Sequence, residues 1–350
     1  MVIIMMTKLI KYLIIKLMKK IILLIFLSFF LSEIQLPLSD FDNQAYADSH
    51  KKKKKKGMKK EKKKGWKIDL TNIVVKSNCL ECESIKGFID PDLIDRDIYI
   101  MLHLWGSGER GQTKEDVDLQ KERGGIKTGT KPVFYNNAKC GKIDEGWAIN
   151  YTQKRNNPAI HKGIDIPKPF GEPIVAVANG TVIGIFENSW SAKGIEIMLR
   201  HTPEQTGLPF WTYSQYTHFE EMPNFEIGQK VSMGEVLGPT GNTGKRGKES
   251  DKKKKKRKKD GKKRPERRPA IHFAIIYSEV PEWSSWKRGI VVKDGYWMDP
   301  LAFYKNKGPY KSQEVKKLSK KEKKISIGYK KNDGSFVPED TIKIWPYICN

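Results

Sequence analysis

Residues 161–186 read HKGIDIPKPFGEPIVAVANGTVIGIF, a series of short β-branched runs divided by glycine and proline. Runs of strand length bounded by turn residues are typical of β-strands. The dipeptide Asn179-Gly180 is a turn signal, because asparagine and glycine tolerate positive φ angles. No apolar repeat of helical period extends through the stretch. It therefore predicts antiparallel β-structure.

The same pattern continues along residues 146–304, where further β-type runs alternate with turn residues. They include GIEIMLRH at 194–201, FWTYSQYTHF at 210–219 and PAIHFAIIYS at 269–278. Short strands at this spacing, without a long helical segment, are typical of an antiparallel all-β domain. We predict that residues 146–304 form one all-β domain, an antiparallel sheet or sandwich.

Two regions flank this predicted domain. WKIDLTNIVV at 66–75 and RDIYIMLHLW at 96–105 have the length and apolar content of strands. Residues 66–145 are therefore predicted to form a β-rich accessory region. The lysine-rich residues 305–350 are a C-terminal extension to which the sequence assigns no function.

The N-terminus has the pattern of an export signal. Lysines precede the apolar run IILLIFLSFFLS at 21–32, and AYA at 45–47 resembles a signal-peptidase site. We expect residues 1–47 to be a signal peptide or a retained membrane anchor, which places the protein in the periplasm or cell envelope.

The four cysteines that follow, an even number, suit disulfides in such a compartment, although the sequence does not assign the pairs. They are Cys79, Cys82, Cys140 and Cys349. A structural zinc site at Cys79 and Cys82 is disfavoured, because no second C-x-x-C follows.

Two lysine-rich tracts account for most of the net charge of +25. Residues 51–64, in a linker at 48–65, hold eleven lysines and one glutamate. Residues 245–268 hold sixteen lysines and arginines and four acids, so the two tracts supply +22. The tract at 245–268 is predicted to be an inserted loop, either merely solvated or binding an anionic envelope polymer or membrane surface. Nucleic acid is an unfavoured partner, because no aromatic residue offers a base-stacking platform and the chain carries an export signal.

A candidate metal site begins inside the opening stretch. His161 and Asp165 are four residues apart, and imidazole nitrogen and carboxylate oxygen are both zinc ligands. A third ligand is offered by His272, which alternates along its strand with the apolar Ile271 and Phe273. Spacing alone is a weak signal for a metal, since a half-buried histidine is often only hydrogen-bonded.

The sequence motifs around these residues are a more specific signal than the spacing of the three candidate ligands. HKGIDIPKPFGEPIVAVANGTVIGI, YTHF, IGQKVSMGEVLGPTGNTG, AIHFAI and MDPLAFY follow one another in an order that resembles the lysostaphin-type (LytM-like) zinc endopeptidases. That family cuts peptide cross-links in bacterial cell walls. The resemblance covers residues 146–304 and implies an all-β peptidase domain with a groove.

The resemblance also implies roles for single residues. The histidine and aspartate of H-x-G-x-D match His161 and Asp165, and the last histidine of the H-x-H strand matches His272; these three would hold zinc. The histidine of Y-x-H matches His218, after Tyr216, and would be catalytic. Tyr216 and His201 are candidates for lining the groove.

One position departs from the family pattern. The first histidine of H-x-H, a proton-handling group, is replaced by Ala270. Residues 270 and 272 share one face of a strand, so the alanine leaves that face without an imidazole. Loss of one general acid or base costs about 10²–10⁴-fold in rate.

The predicted function is that of a zinc-dependent endopeptidase acting on peptidoglycan stems or cross-links, impaired by Ala270. The alternative is a non-catalytic cell-wall-binding or regulatory module of the same fold. A third alternative is nucleic-acid binding through the lysine tracts.

Overall fold

The computed structural model describes seven parts of the chain, all within the compact unit Gly65–Asn350. They are residues 79–95, 98, 114–143, 161–188, 193–244, 268–286 and 289–350. Within these ranges, no helix combines the length and apolarity needed to cross a membrane. The predicted signal or anchor at 1–47, the linker at 48–65 and nearly all of the insertion at 245–268 lie outside them.

The described residues form mostly short strands. The strands are β1 Lys131–Phe134, β2 Ile164–Pro167, β3 Pro173–Val175, β4 Gly180–Asn188, β5 Gly194–His201, β6 Trp211–Thr217, β7 Lys230–Val231, β8 Val236–Pro239, β9 Ala270–Ser278, β10 Trp283–Trp286, β11 Gly289–Val292, β12 Tyr296–Met298, β13 Lys324–Ile327, β14 Tyr329–Lys330 and β15 Phe336–Val337. The α-helices are α1 Lys114–Glu122, α2 Pro203–Thr206 and α3 Ser312–Val315. The 3₁₀ helices are Glu81–Ser84, Pro91–Leu93, Tyr135–Asn137 and Ala302–Tyr304.

A seven-stranded sheet is the centre of the fold. Its strand order is β12-β9-β6-β5-β4-β7, and β2 pairs with β9 beside β12. Every pair in this sheet is antiparallel. The prediction of an antiparallel all-β fold is thereby confirmed.

The central strands are buried on both faces. All eight residues of β5 are buried, and β9 is buried except at His272. A strand covered on both sides needs a nearly continuous apolar run, and AIIYS of β9 has that character, whereas β5 also buries the charged Glu196 and Arg200. The fully buried large side chains of the core are Trp283, Trp345, Tyr213, Tyr216, Tyr347, Phe219, Phe273 and Phe303.

The C-terminal segment supplies part of this covering. Trp345 and Tyr347 are fully buried, and Tyr347 forms an isolated antiparallel bridge with Ile174 of β3. The Tyr347 hydroxyl lies 2.8 Å from the Thr240 hydroxyl. The Trp345 indole donates to the carbonyl of Cys140 at 3.0 Å. Residues after 305 thus belong to the same apolar core as the central sheet.

The described part of the predicted accessory region, residues 66–145, joins the C-terminal segment. Its single described strand, β1, pairs in parallel with β13, and its other described elements are α1 and three 3₁₀ helices. The stretches at 66–75 and 96–105 that suggested strands lie outside the described residues except for Ile98. The β-rich character of the whole region therefore stays a prediction.

The cysteines form two disulfides that the sequence did not assign. Cys79 pairs with Cys82, three residues away, and Cys140 pairs with Cys349 across 209 residues. The second bridge links the segment before the central sheet to the end of the chain.

Candidate metal centre

Two neighbouring strands bring the predicted ligands together. β2 pairs with β9 so that Asp165 lies directly opposite His272, and their side chains meet on one face of the sheet. His161 precedes β2 by three residues and reaches the same point. The contacts are 3.0 Å from His161 Nε2 to His272 Nδ1, 2.8 Å from His272 Nδ1 to Asp165 Oδ1, and 3.3 Å from His161 Nε2 to Asp165 Oδ1. All three residues predicted to hold zinc converge here.

Gly163 makes the approach of His161 possible. A Cβ on Gly163 would lie 2.7 Å from Cε1 and Nε2 of His272 and 2.4 Å from the carbonyl oxygen of Phe273. Real Cβ atoms do not approach other atoms so closely, so any side chain at position 163 would clash with β9 and only glycine fits there. Steric crowding therefore explains why the third position of H-x-G-x-D is glycine.

The donor set fits a tetrahedral zinc ion. Zinc bonds of about 2.0–2.1 Å at tetrahedral angles hold neighbouring ligand atoms about 3.3 Å apart, close to the three contacts observed. Hydrogen bonds alone satisfy this triangle poorly, because one ring N–H can point along only one of its edges. A cation inside the triangle satisfies all three atoms at once.

Asp165 is held in its charged form. Burial acts to raise the pKa of its carboxyl, but charge and hydrogen bonds from His161, followed by those from His272, hold the pKa well below its ordinary value. An ionised carboxylate is the form that ligates a metal.

His218 follows β6, and its ring lies near that of His272. Its ring centroid lies 6.2 Å from that of His272, and its side chain is buried. Its φ of 75° lies in the left-handed region, which is uncommon for a residue with a Cβ. Nδ1 lies 2.9 Å from the carbonyl of Thr243, which can only accept, so Nδ1 carries the proton in this contact. In the neutral ring Nε2 is then the basic nitrogen.

Thr243 holds the loop that orients His218, a role the sequence analysis missed. Its hydroxyl donates to Phe219 O at 2.7 Å and accepts from Ile195 N at 3.1 Å. A Cβ on Gly194 would lie 2.4 Å from the carbonyl carbon of Thr243, so loop and strand are in close contact. Nothing in the sequence indicated this role, because a backbone carbonyl leaves no signature in residue type.

Ala270 begins β9, opposite Pro167 of β2. It is buried and lies two residues before His272, hence on the same face of the strand. Its backbone N–H donates to the carbonyl of Gly241 at 3.1 Å. The side-chain position where the resemblance implies a second imidazole is therefore taken by a methyl group.

A cluster of buried charges, also missed from the sequence, adjoins these residues. The Lys193 ammonium contacts both carboxylate oxygens of Glu196, at 3.1 and 3.0 Å, and Gln215 donates to Glu196 at 3.2 Å. The backbone carbonyl of Lys193 accepts from the N–H of His218 at 3.2 Å. Burial, followed by repulsion from Lys193, lowers the pKa of Lys162 to about 7. Burial likewise lowers the pKa of Lys193 and raises that of Glu196.

The expectation that Tyr216 and His201 line a groove is corrected by their positions. Both are 0% exposed. His201 Nδ1 donates to the carbonyl of Asn179 and Nε2 accepts from the hydroxyl of Ser214, each at 2.7 Å. The Tyr216 hydroxyl accepts from the N–H of Val177 at 3.0 Å. Strands covered on both faces leave these side chains no path to solvent.

Comparison with known proteins confirms the resemblance over a segment of the chain. Residues 159–281 match the profile of Peptidase family M23, a segment that contains His161, Asp165, His272, His218 and Ala270. The Peptidoglycan DD-endopeptidase ShyA of Vibrio cholerae is 29% identical over 110 residues. That alignment covers 29% of this chain and 23% of the relative, so the match spans less than a quarter of that protein's length.

Solved structures give a weaker similarity. A zinc containing peptidase from Vibrio cholerae has 19% identity and a TM-score of 0.28, covering 39% of this chain and 34% of that chain. The catalytic domain of the antimicrobial peptidase lysostaphin from Staphylococcus simulans has 20% identity and a TM-score of 0.26, and the match covers 42% of this chain and 86% of that chain. Similarity at this level carries no functional inference.

Proposed function

We propose that this protein is a zinc-dependent endopeptidase that hydrolyses peptide bonds in peptidoglycan stems or cross-links. The observation that carries the proposal is the convergence of His161, Asp165 and His272 within 3.3 Å, inside a segment that matches Peptidase family M23. The relative from Vibrio cholerae is a peptidoglycan DD-endopeptidase, which supports the class of substrate.

His161 Nε2, Asp165 Oδ1 and His272 Nδ1 would hold the ion. Zinc in such a site polarises a carbonyl and lowers the pKa of water to about 7. Among the residues that the structure describes, three protein atoms converge, which leaves a fourth position of a tetrahedral ion for the reacting groups. The opposed strands β2 and β9 fix two ligands, so the site needs little reorganisation to accept metal.

His218 is the proposed proton carrier. Its Nδ1–H is committed to the Thr243 carbonyl, so Nε2 is the nitrogen that takes a proton from the attacking water and returns it to the leaving amine. The same carbonyl stabilises the ring once it is protonated, because the N–H that it accepts then carries positive charge. Burial of His218 strengthens this interaction.

Ala270 favours a second candidate function. Without an imidazole at this position the site has one proton-handling histidine instead of two, which predicts a slow enzyme. The same residue suits a non-catalytic module that binds cell wall or regulates a hydrolase, and keeps the metal for structure.

The deciding experiment is digestion of purified peptidoglycan by the zinc-loaded full chain, with released fragments identified by mass spectrometry. We expect peptide-linked fragments from the wild type, about one zinc per chain, and none of these fragments from His218→Ala, which retains zinc. His272→Ala is expected to lose zinc. If the wild type binds zinc but releases no fragments, the enzyme proposal is wrong and the non-catalytic binding module remains. If the wild type binds no zinc, the proposed metal centre is wrong.

Location and further partners are also proposals. The lysines and apolar run before residue 47 support export to the periplasm or cell envelope, where peptidoglycan is found. The basic insertion at 245–268 suits an anionic envelope polymer or membrane surface. Nucleic acid is not proposed, since an exported chain does not meet it.

A further inference from the structure

A cavity of about 250 Å³ lies between the C-terminal segment and the chain before the central sheet. Its lining includes none of the residues of the metal centre. The lining residues that carry the argument are Tyr135, Tyr304, Asn306, Ser326, Asp340 and Lys343. The lining is mostly polar, which is uncommon for a void that has only a packing role.

Lys343 brings a buried positive charge to this cavity. Its side chain is 5% exposed, and its ammonium donates to the carbonyl of Lys305 at 3.0 Å and lies 5.7 Å from the centre of the Phe303 ring. An ammonium has three donors, and among the described residues no carboxylate forms an ion pair with this one. Burial lowers its pKa to about 8, so it remains mostly protonated at neutral pH.

A buried cation with one neutral acceptor is costly unless other groups complete its hydrogen bonds. An anionic oxygen entering the cavity would form charge-assisted hydrogen bonds with the remaining donors. Carboxylate and phosphate both offer such oxygens.

Asp340 distinguishes between these two anions. It lines the same cavity and is exposed, so it lies toward solvent while Lys343 is buried. A carboxylate in the lining repels a dianion such as phosphate and attracts an ammonium group. The pair of opposite charges therefore suits a ligand that carries both.

Size restricts the ligand further. Pockets for drug-sized molecules occupy about 300–1,000 Å³, so this cavity admits something smaller. Tyr135, Tyr304 and Asn306 complete the lining, and a short backbone fragment is of a size that the cavity admits. A glycan strand is too large.

We propose that this cavity binds a zwitterionic α-amino acid or dipeptide, with the ligand's carboxylate on Lys343 and its ammonium on Asp340. The competing explanation is that Lys343 only caps the 3₁₀ helix Ala302–Tyr304 through the Lys305 carbonyl. That explanation requires no ligand, so the two differ in what binding measurements show.

The test is calorimetric titration of the full chain with glycylglycine, its C-terminal amide, its N-acetyl derivative and inorganic phosphate. We expect glycylglycine to bind, and removal of either charge to weaken binding at least tenfold. Phosphate is expected to bind no better than the amide. No binding of glycylglycine, or equal binding of the dipeptide and its amide, would refute the proposal.

Variants assign the binding to this cavity. Lys343→Met should weaken glycylglycine binding at least tenfold, whereas Lys330→Met should not, although Lys330 also donates to one backbone carbonyl, that of Gly234. His161→Ala should bind as the wild type does, which separates this site from the metal centre. If Lys343→Met does not fold, the exposed Asp340→Asn decides: it should weaken glycylglycine but leave the N-acetyl derivative unchanged. Equal binding by wild type and the cavity variants, or loss in His161→Ala, would overturn the assignment.

Discussion

Ala270 and Gly163 show how much chemistry one side chain decides at this site. Gly163 is small because His272 and the Phe273 carbonyl already occupy the space where its Cβ would lie. Ala270 is buried and lies beside Pro167 on an adjacent strand. Gly163 is a packing requirement, whereas Ala270 stands where the resemblance implies an imidazole.

Replacing Ala270 with histidine should install an imidazole on the face that carries His272. If the protein is a slow enzyme, the variant should release peptides from peptidoglycan faster, by up to about 10²–10⁴-fold. The measurement is fragment release per zinc-loaded chain, since zinc content shows that the centre is intact. Ala270 is buried, so a melting curve must accompany the rate.

Ala270→Phe is the matched control, because it adds a ring of similar size without a nitrogen. It should show no gain. The double variant Ala270→His with His218→Ala tests whether the two imidazoles act together. A gain from phenylalanine equal to that from histidine would contradict the proton-handling explanation.

At the scale of elements, His201 connects three strands of the central sheet. It ends β5, contacts Asn179 just before β4 and contacts Ser214 of β6. Both contacts use the neutral ring, in which one nitrogen donates and the other accepts. Burial lowers its pKa from 6.5 to about 4, despite the contact with the Asn179 carbonyl.

This lowered pKa predicts a loss of stability in acid. Between pH 6.5 and 4 the unfolded chain binds a proton on His201 that the folded chain does not, so the free energy of unfolding falls as pH falls through this window. Down to pH 4.5 the loss attributable to this residue is about 2 kcal/mol. Urea unfolding at pH 7 and pH 4.5 measures it.

His201→Gln keeps a donor and an acceptor but cannot titrate. Its free energy of unfolding should be lower than that of the wild type at pH 7, and the difference should shrink by about 2 kcal/mol at pH 4.5. Comparing the two proteins cancels the titration of other groups. A constant difference across the two pH values would mean that the fold does not lower the pKa of His201.

At the scale of the molecule, sequence reasoning succeeded where the determinants are local. Strand-length runs predicted the antiparallel sheet, and H-x-G-x-D with AIHFAI predicted three side chains that the β2–β9 register brings together. It missed Thr243, which acts through a backbone carbonyl, and misplaced His201, whose burial depends on layers that cover both faces of the sheet. Pairing of β1 with β13 spans nearly 200 residues, and no local pattern encodes such a contact.

The disulfide from Cys140 to Cys349 should therefore contribute more to stability than the disulfide from Cys79 to Cys82. Cross-linking reduces the entropy of the unfolded chain in proportion to the logarithm of loop length. A loop closed over 209 residues predicts a contribution of about 5 kcal/mol, against about 2 kcal/mol for a separation of three. Replacing each pair by alanines and measuring urea unfolding tests the difference. The short bridge is the control: Cys82 is buried as Cys140 and Cys349 are, while Cys79 is half-buried, so its replacement removes somewhat less sulfur packing. Equal losses from the two pairs would mean that packing, and not closure of the chain, sets the contribution of the long bridge.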